Sequence, residues 1–352
     1  MSVKKKKKTA LYSNIIFSLI ALVSLTAVII MLLLNYSSKK KLEDAQNEIS
    51  DLKNYNSQFI YTQDDLDNAV SSAEESAEEN GMMTLINSMR DRLSGGDSAY
   101  NLFRDIFADD LIVYDSDEGY IFYPITDQYI KSGRSNDDLV KDEESGEVQY
   151  IKDGSVLSVK GIDVSKHNGD IDWEKVKNDG VSFAIIRVGY RGSTGGSIKL
   201  DETFEDNIKG AIANGIDVGV YFFTQAISVE EAIEEAEFVI DAIRGYELQY
   251  PVVWDIEELE GRAEDVDREV RTDACIAFLD KIKEAGYSPM IYGNLKSLLY
   301  MLNTDRIEGY DKWFAYYSFP DYYPYAHSIW QYSSTGEVDG IKGNVDMNIA
   351  FK

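Results

Sequence analysis

Two carboxylates two residues apart, Asp255 and Glu257, close a run of strand-forming residues, Pro251-Val-Val-Trp-Asp-Ile-Glu257. Side chains i and i+2 of a strand share a face. The pair therefore points one way while Trp254 and Ile256 point the other, with Cα atoms about 6.5–7 Å apart at ordinary strand rise. An acid/base pair, or an acid beside a charge stabiliser, has this arrangement. So does an ordinary strand running into an acidic surface loop, since Glu258 and Glu260 follow. The choice between them rests on the elements that carry the other acids of the chain.

Composition narrows the chemistry. Among 352 residues, 62 Asp and Glu stand against 35 Lys and Arg, a net charge of −27. Such a balance excludes nonspecific nucleic-acid binding, which needs a basic face. The single cysteine, Cys275, cannot build an intrachain disulfide, and its amphipathic setting (Ala274, Phe278, Leu279, Ile282) reads as a small buried hydrophobe. His167 and His327 are the only histidines, so no HExxH or His-rich zinc cluster can be written. Neither metal nor cofactor is expected, and hydrolytic chemistry falls most easily to carboxylates.

The N-terminal part reads as an address and a spacer. After the basic run Lys4–Lys8, residues 15–34 are uncharged. Twenty residues at about 1.5 Å each span a hydrocarbon core of about 30 Å. The expectation is an uncleaved transmembrane helix behind a cytoplasmic tail, 1–14, and a single-pass protein of the cell membrane with its large acidic remainder outside. Over 38–80, Leu42, Ala45, Ile49, Leu52, Asn56, Phe59, Gln63, Leu66 and Val70 fall at heptad spacing. They predict a helical stalk, either a solitary solvated helix or a coiled-coil seam forming a homodimer. Residues 82–158 read as a small extracellular spacer domain or linker, with Ser135–Glu147 polar and acidic, and no chemistry is assigned to them.

From residue 159 to 352, short β-rich runs alternate with helical ones. Strands are predicted at 161–165, 183–189, 218–223, the opening stretch, 289–292, 313–317, 329–332 and 345–348. Helices are predicted at 172–178, 203–214, from Val229 to Ile243, 265–285 and 295–302, after which they fade. Repeated alternation implies parallel strands with right-handed crossovers. The fold class is α/β: a TIM-like barrel of five βα units followed by three strands, preceded by the transmembrane helix and stalk. No Gly-rich phosphate turn opens a helix, which argues against a dinucleotide-binding sheet.

Strand C-termini make the site in a parallel barrel. They deliver Asp163 from the first strand and Asp255 and Glu257 from the fourth, with Asp346 from the last. Tyr221, Phe223, Tyr292, Tyr316, Trp330 and Tyr332 are candidates to line the same mouth, where aromatic faces beside carboxylates suit a sugar polymer; each is also a candidate for barrel core.

At this point a resemblance becomes specific. Gly161-Ile-Asp-Val-Ser165, DGVSFAIIRVGYRG ending at Gly192, GVYFFTQA ending at Ala226, PVVWDIE, PMIYGN ending at Asn294 and IWQYSSTGEVDGIKGNVDMN ending at Asn348 together resemble the family-25 glycoside hydrolases. These are the cell-wall muramidases, or Chalaropsis-type lysozymes, and the likeness covers about 160–352. It implies a barrel of five strand-helix units and three further strands, and hydrolysis of the β-1,4 bond after N-acetylmuramic acid in peptidoglycan. It also implies Glu257 as general acid, Asp255 as its partner carboxylate, Asp163 and Asp346 as further acids at the mouth, and Tyr221 as an active-site tyrosine. The chain departs from the family pattern at Val188-Gly-Tyr-Arg191 and at Phe222.

The resulting expectation is a membrane-anchored muramidase that remodels the wall locally in a Gram-positive type envelope, with peptidoglycan glycan strands as its partner. The alternative is a wall-binding module with little or no activity that tethers an envelope complex.

Overall fold

The computed structural model describes residues 26, 28–47, 63–116, 119–257 and 261–352. The chain divides into two compact units, one up to Leu102 and one from Phe103 to Lys352.

In the first unit, residues 28–47 are helical and a second helix runs over Gln63–Ser94. Gly81, one residue past the stalk expected over 38–80, lies inside that helix, where a glycine costs only about 1 kcal/mol. Of the expected seam, Ile49, Leu52, Asn56 and Phe59 lie outside the described residues, and Leu42 is exposed. No helix among the described residues is long and apolar enough to cross a membrane. That finding overturns the expected single-pass placement at the cell membrane. Of the span expected over 15–34, residues 15–25 and 27 lie outside the described residues.

The second unit is built on a nine-stranded sheet in which a short strand, Ile198–Leu200, pairs antiparallel with the end of β2 and the other eight form the barrel: β1 (Ser158–Val164), β2 (Phe183–Arg191), β3 (Asp217–Phe223), β4 (Val252–Asp255), β5 (Pro289–Gly293), β6 (Asp311–Ala315), β7 (Ile329–Gly336) and β8 (Val345–Phe351). Each strand pairs with its neighbour in sequence, and β8 returns to β1, closing the sheet into a barrel. Helices follow the first five strands, at Trp173–Asn178, Phe204–Ala213, Val229–Ala242, Arg268–Glu284 and, after β5, Ser297–Met301 with Thr304–Ile307. No helix joins β6 to β7 or β7 to β8. The helix starts show why the sequence turns there: Ser228 Oγ accepts from Glu231 N (3.3 Å), and an Asp267 carboxylate oxygen accepts from Glu269 N (2.8 Å).

One strand runs against expectation. β1 to β7 are parallel, but β8 is antiparallel to both β7 and β1. Only residues 337–344 separate β7 from β8, too few for a parallel crossover, which takes a dozen or more.

Alternation along the strands divides the apolar residues into two layers. Inside the barrel lie Val159, Phe183, Ile185, Tyr221, Val253, Met290, Tyr292, Trp313, Ile329 and Ala350. Between strands and helices lie Ile162, Ala184, Phe222, Trp254, Ile256, Phe314, Trp330 and their neighbours. Gly161 is required where β1 meets the inner layer, because a Cβ there would stand 2.2 Å from the Phe183 ring.

The residues ahead of β1 form a hairpin (Leu111–Ser116 with Gly119–Pro124) and a three-stranded sheet (Leu139–Lys141, Val148–Lys152, Ser155–Val156). This segment packs on the barrel. Tyr129 meets Tyr325 edge to face at 5.2 Å, Ser132 N donates to the Pro324 carbonyl at 2.9 Å, and the Arg134 guanidinium lies 3.6 Å from the Phe351 ring centre.

Candidate active site

The inward-facing positions change character halfway along the barrel. On β1 the inward series runs Val159, Gly161, Asp163, and on β4 it runs Val253, Asp255. Each strand thus spends its early residues on packing and its last one on a carboxylate. β8 runs the other way, so its first residues reach the same end, and Asp346 sits directly across from Asp163 in the ladder. Reversal is what brings Asp346 to the mouth.

Two amide side chains hold Asp163. Gln331 Nε2 and Asn348 Nδ2 each donate to its Oδ2 at 2.8 Å. They are held in turn: Tyr292 and Tyr317 donate their hydroxyls to Gln331 Oε1 (2.8 and 2.9 Å), and Trp313 Nε1 donates to Asn348 Oδ1 (2.8 Å). Burial raises Asp163 well above the ordinary carboxylate range, and the Asp346 charge opposite adds to the rise, against the pull of the two amides.

Asp255 is buried to 2 % exposure, and its Oδ1 has no hydrogen-bond partner. Burial, then the charges of Glu257 and Asp163, push its pKa well up, while Arg187 opposes them. Arg187 is set on β2 beside Tyr221 and gives its Nε to Asp201 Oδ2 at 2.7 Å; its Nη2 is buried without a partner. Asp346, only partly buried, is raised by desolvation to about 6. The Tyr221 hydroxyl, buried near Asp163, is held protonated well beyond its usual range.

Glu257 stands two residues past Asp255 and is exposed. Desolvation falls on its neighbours, the buried Asp163 and Asp255 and the partly buried Asp346. The arrangement offers an accessible carboxyl group at the rim and three shielded ones beneath it, which can split acid and charge-stabilising roles between environments.

The aromatic candidates separate by face. Tyr221 and Tyr292 lie inside, edge-on to Trp313 with ring centres 6.1 and 4.5 Å apart. Phe223, half-buried, is level with Asp255 in the ladder. Trp330 and Tyr332 belong to the outer layer, where their rings meet at 5.9 Å. Trp330 Nε1 donates to the Tyr316 carbonyl, and the Tyr316 ring stacks on Phe314 at 5.9 Å in the same layer. Reasoning from residue type missed Arg187, Gln331, Asn348 and Tyr317. A charged residue inside the apolar run Phe183–Val188 and a polar one between Trp330 and Tyr332 were the available signals.

The chain is similar to known proteins over the barrel. The family described as "Glycosyl hydrolases family 25" matches residues 162–341, just over half of the chain. An autolytic lysozyme of Clostridium acetobutylicum is 28% identical over 192 residues, covering 54% of this chain and 55% of its own length. An uncharacterised Escherichia coli protein, YegX, is 29% identical over 201 residues, covering 54% and 69%. The modular autolysin LytC of Streptococcus pneumoniae superposes with a TM-score of 0.50 at 26% identity, over 69% of this chain and 57% of that one. A structure of LytC in complex with a synthetic peptidoglycan ligand superposes equally well. The chain thus spans little more than half the length of the lysozyme and the autolysin.

Proposed function

Because this chain belongs to glycosyl hydrolases family 25 and is a glycoside hydrolase of the lysozyme type, we propose that it cleaves the β-1,4 bond following N-acetylmuramic acid in peptidoglycan. The convergence of Asp163, Asp255, Glu257 and Asp346 at one end of the barrel carries this reading. Peptidoglycan as substrate is supported by the ligand held by LytC. The relatives named as an autolysin and an autolytic lysozyme support turnover of wall material, hence local remodelling.

The division of labour follows from exposure. Glu257, at the accessible rim, protonates the leaving glycosidic oxygen as general acid. Asp255 lies beneath it without a hydrogen bond on Oδ1, in an environment that disfavours its negative charge. Positive charge developing at the sugar carbon relieves that penalty only as the bond breaks, and water adding to that carbon with loss of a proton completes the hydrolysis. The interaction is therefore stronger in the transition state than in the ground state, which is what accelerates a reaction. Asp163, pinned by Gln331 and Asn348, and Asp346 opposite it keep the mouth acidic and orient the sugar. Tyr221, Phe223 and Tyr292 supply ring and hydroxyl surface around them.

The test is incubation of the full chain with purified peptidoglycan, followed by reduction of new sugar ends and their identification. Reduced N-acetylmuramic acid is expected. Reduced N-acetylglucosamine would move the scissile bond, and binding without any new ends would leave the wall-binding alternative standing.

A further inference from the structure

Behind the mouth lies a set of buried charges that the proposed chemistry does not use. Arg191 ends β2 and is buried. Its Nε donates to Glu235 Oε1 (2.7 Å), its Nη1 to the Gly196 carbonyl (2.6 Å), and its Nη2 to the Glu231 carbonyl (2.9 Å) and Glu234 Oε2 (2.8 Å). Glu235, also buried, accepts in addition from Thr224 Oγ1 (2.8 Å) and Trp254 Nε1 (3.4 Å). Trp254 immediately precedes Asp255, and Thr224 N donates to the Asp255 carbonyl at 3.1 Å.

A second clamp sits one turn earlier on the same helix. Glu231 receives both Nη1 (2.9 Å) and Nη2 of Arg262, and Arg262 N donates to the Ser193 carbonyl at 3.1 Å. Two glycines permit the approach: a Cβ at Gly196 would lie 2.5 Å from Arg262 Nη1, and one at Gly261 would lie 2.8 Å from the Ser193 carbonyl oxygen.

Burying the Arg191–Glu235 pair, with the half-buried Arg262–Glu231 pair beside it, is an expensive way to fill space, since apolar side chains of equal volume are commonly as stabilising or more so. The value of such a network lies in fixed geometry, and its ends show what is fixed. One end holds Trp254 and Thr224 on either side of Asp255. The other holds Arg262, five residues beyond Glu257. β4 ends at Asp255, so sheet register alone does not fix Glu257.

We propose that Arg191–Glu235 and Arg262–Glu231 are positioning pairs that set the Asp255–Glu257 carboxylates relative to each other by holding Trp254 and Thr224 on one side and Arg262 on the other against the first turns of the helix Val229–Ala242. This rests on the reading of Glu257 as the acid. Neither arginine touches the reacting atoms. Their effect reaches the reaction through Trp254, Thr224 and the backbone leading to Glu257.

The test uses the full chain with Arg262→Met and Arg262→Lys, measuring kcat and KM on soluble glycan strands, Tm, and amide hydrogen exchange. Arg262→Met is expected to lower kcat by about 10²-fold, the scale of a roughly 1 Å misplacement, with KM and Tm near wild type. Exchange should quicken at Ile256, Glu257 and Gly261–Ala263. Arg262→Lys should recover most of the loss. Wild-type kcat in Arg262→Met overturns the proposal, as does a loss matched by a fall in Tm and faster exchange throughout. Should Arg262→Met not fold, Glu231→Gln carries the same expectations. Should the wild-type chain leave glycan uncut, the muramidase reading fails and exchange alone decides: unchanged protection at Ile256 and Glu257 in Arg262→Met overturns the positioning role.

Discussion

The two ends of the barrel interior are built from the same strands and the same inward-facing parity, yet they do opposite things. At the end where β1 to β7 begin, Phe183 stacks on Tyr250 with ring centres 4.3 Å apart, and Val159, Ile329 and Ala350 fill the remaining space. At the other end the inward positions are Asp163, Asp255, Gln331, Asn348 and Asp346. The first end is close-packed hydrocarbon and stabilises the fold. The second buries carboxylates that repel one another and leaves Asp255 Oδ1 and Arg187 Nη2 without partners. A barrel can hold such a mouth because its opposite end supplies the stability the mouth withholds.

This contrast can be broken by substitutions that ought to affect one end only. The largest effect on stability is expected from Phe183→Ala, which removes a fully buried ring and should cost about 3–5 kcal/mol in denaturant unfolding. Turnover per folded molecule should change only a few-fold. A collapse of activity at matched folded fraction would show that the two ends are not separable.

Asp346→Asn should act in the opposite sense. A carboxyl whose folded pKa lies above its unfolded value holds its proton more tightly in the native state. That advantage is complete below the unfolded value near 4 and is lost as pH rises through the folded value, here about 6. The amide removes the penalty, so the variant should be more stable than wild type at pH 7, by on the order of 2 kcal/mol, with the difference vanishing near pH 3.5. A constant difference across that range would show that burial of this charge is not the cause.

The smallest effect sharpens the comparison within the mouth. Tyr317→Phe removes one of two hydroxyl donors to Gln331 and should cost about 0.5–1.5 kcal/mol, less than the same change at the fully enclosed Tyr292. Equal losses at both positions would mean that enclosure does not govern these bonds.

Much of this organisation was legible in the chain. Five strand-helix units followed by three bare strands, and acids at strand ends, could be read because a strand-to-helix change of period and the placement of Asp163, Asp255 and Glu257 are properties of sequence alone. The direction of β8 was not read, although the short stretch between Gly336 and Val345 excludes a parallel crossover. Trp330 and Tyr332 were chosen for their rings; alternation puts Gln331 inward and those rings outward. Pairings such as Arg191 with Glu235, 44 residues apart, need three dimensions. The apolar run at 15–34 illustrates the converse: hydropathy alone led to a membrane placement that the described helices do not sustain.

The most direct measurement compares glycan cleavage by wild type and Glu257→Gln at equal folded concentration. Glu257 is exposed, so the substitution should leave Tm unchanged while turnover falls by about 10²-fold or more, the contribution of a positioned general acid. New reducing ends should then come from wild type alone on the timescale of the assay. Equal release by the two proteins would contradict the assignment of the acid and, with it, the account of the mouth as the reacting end of the barrel.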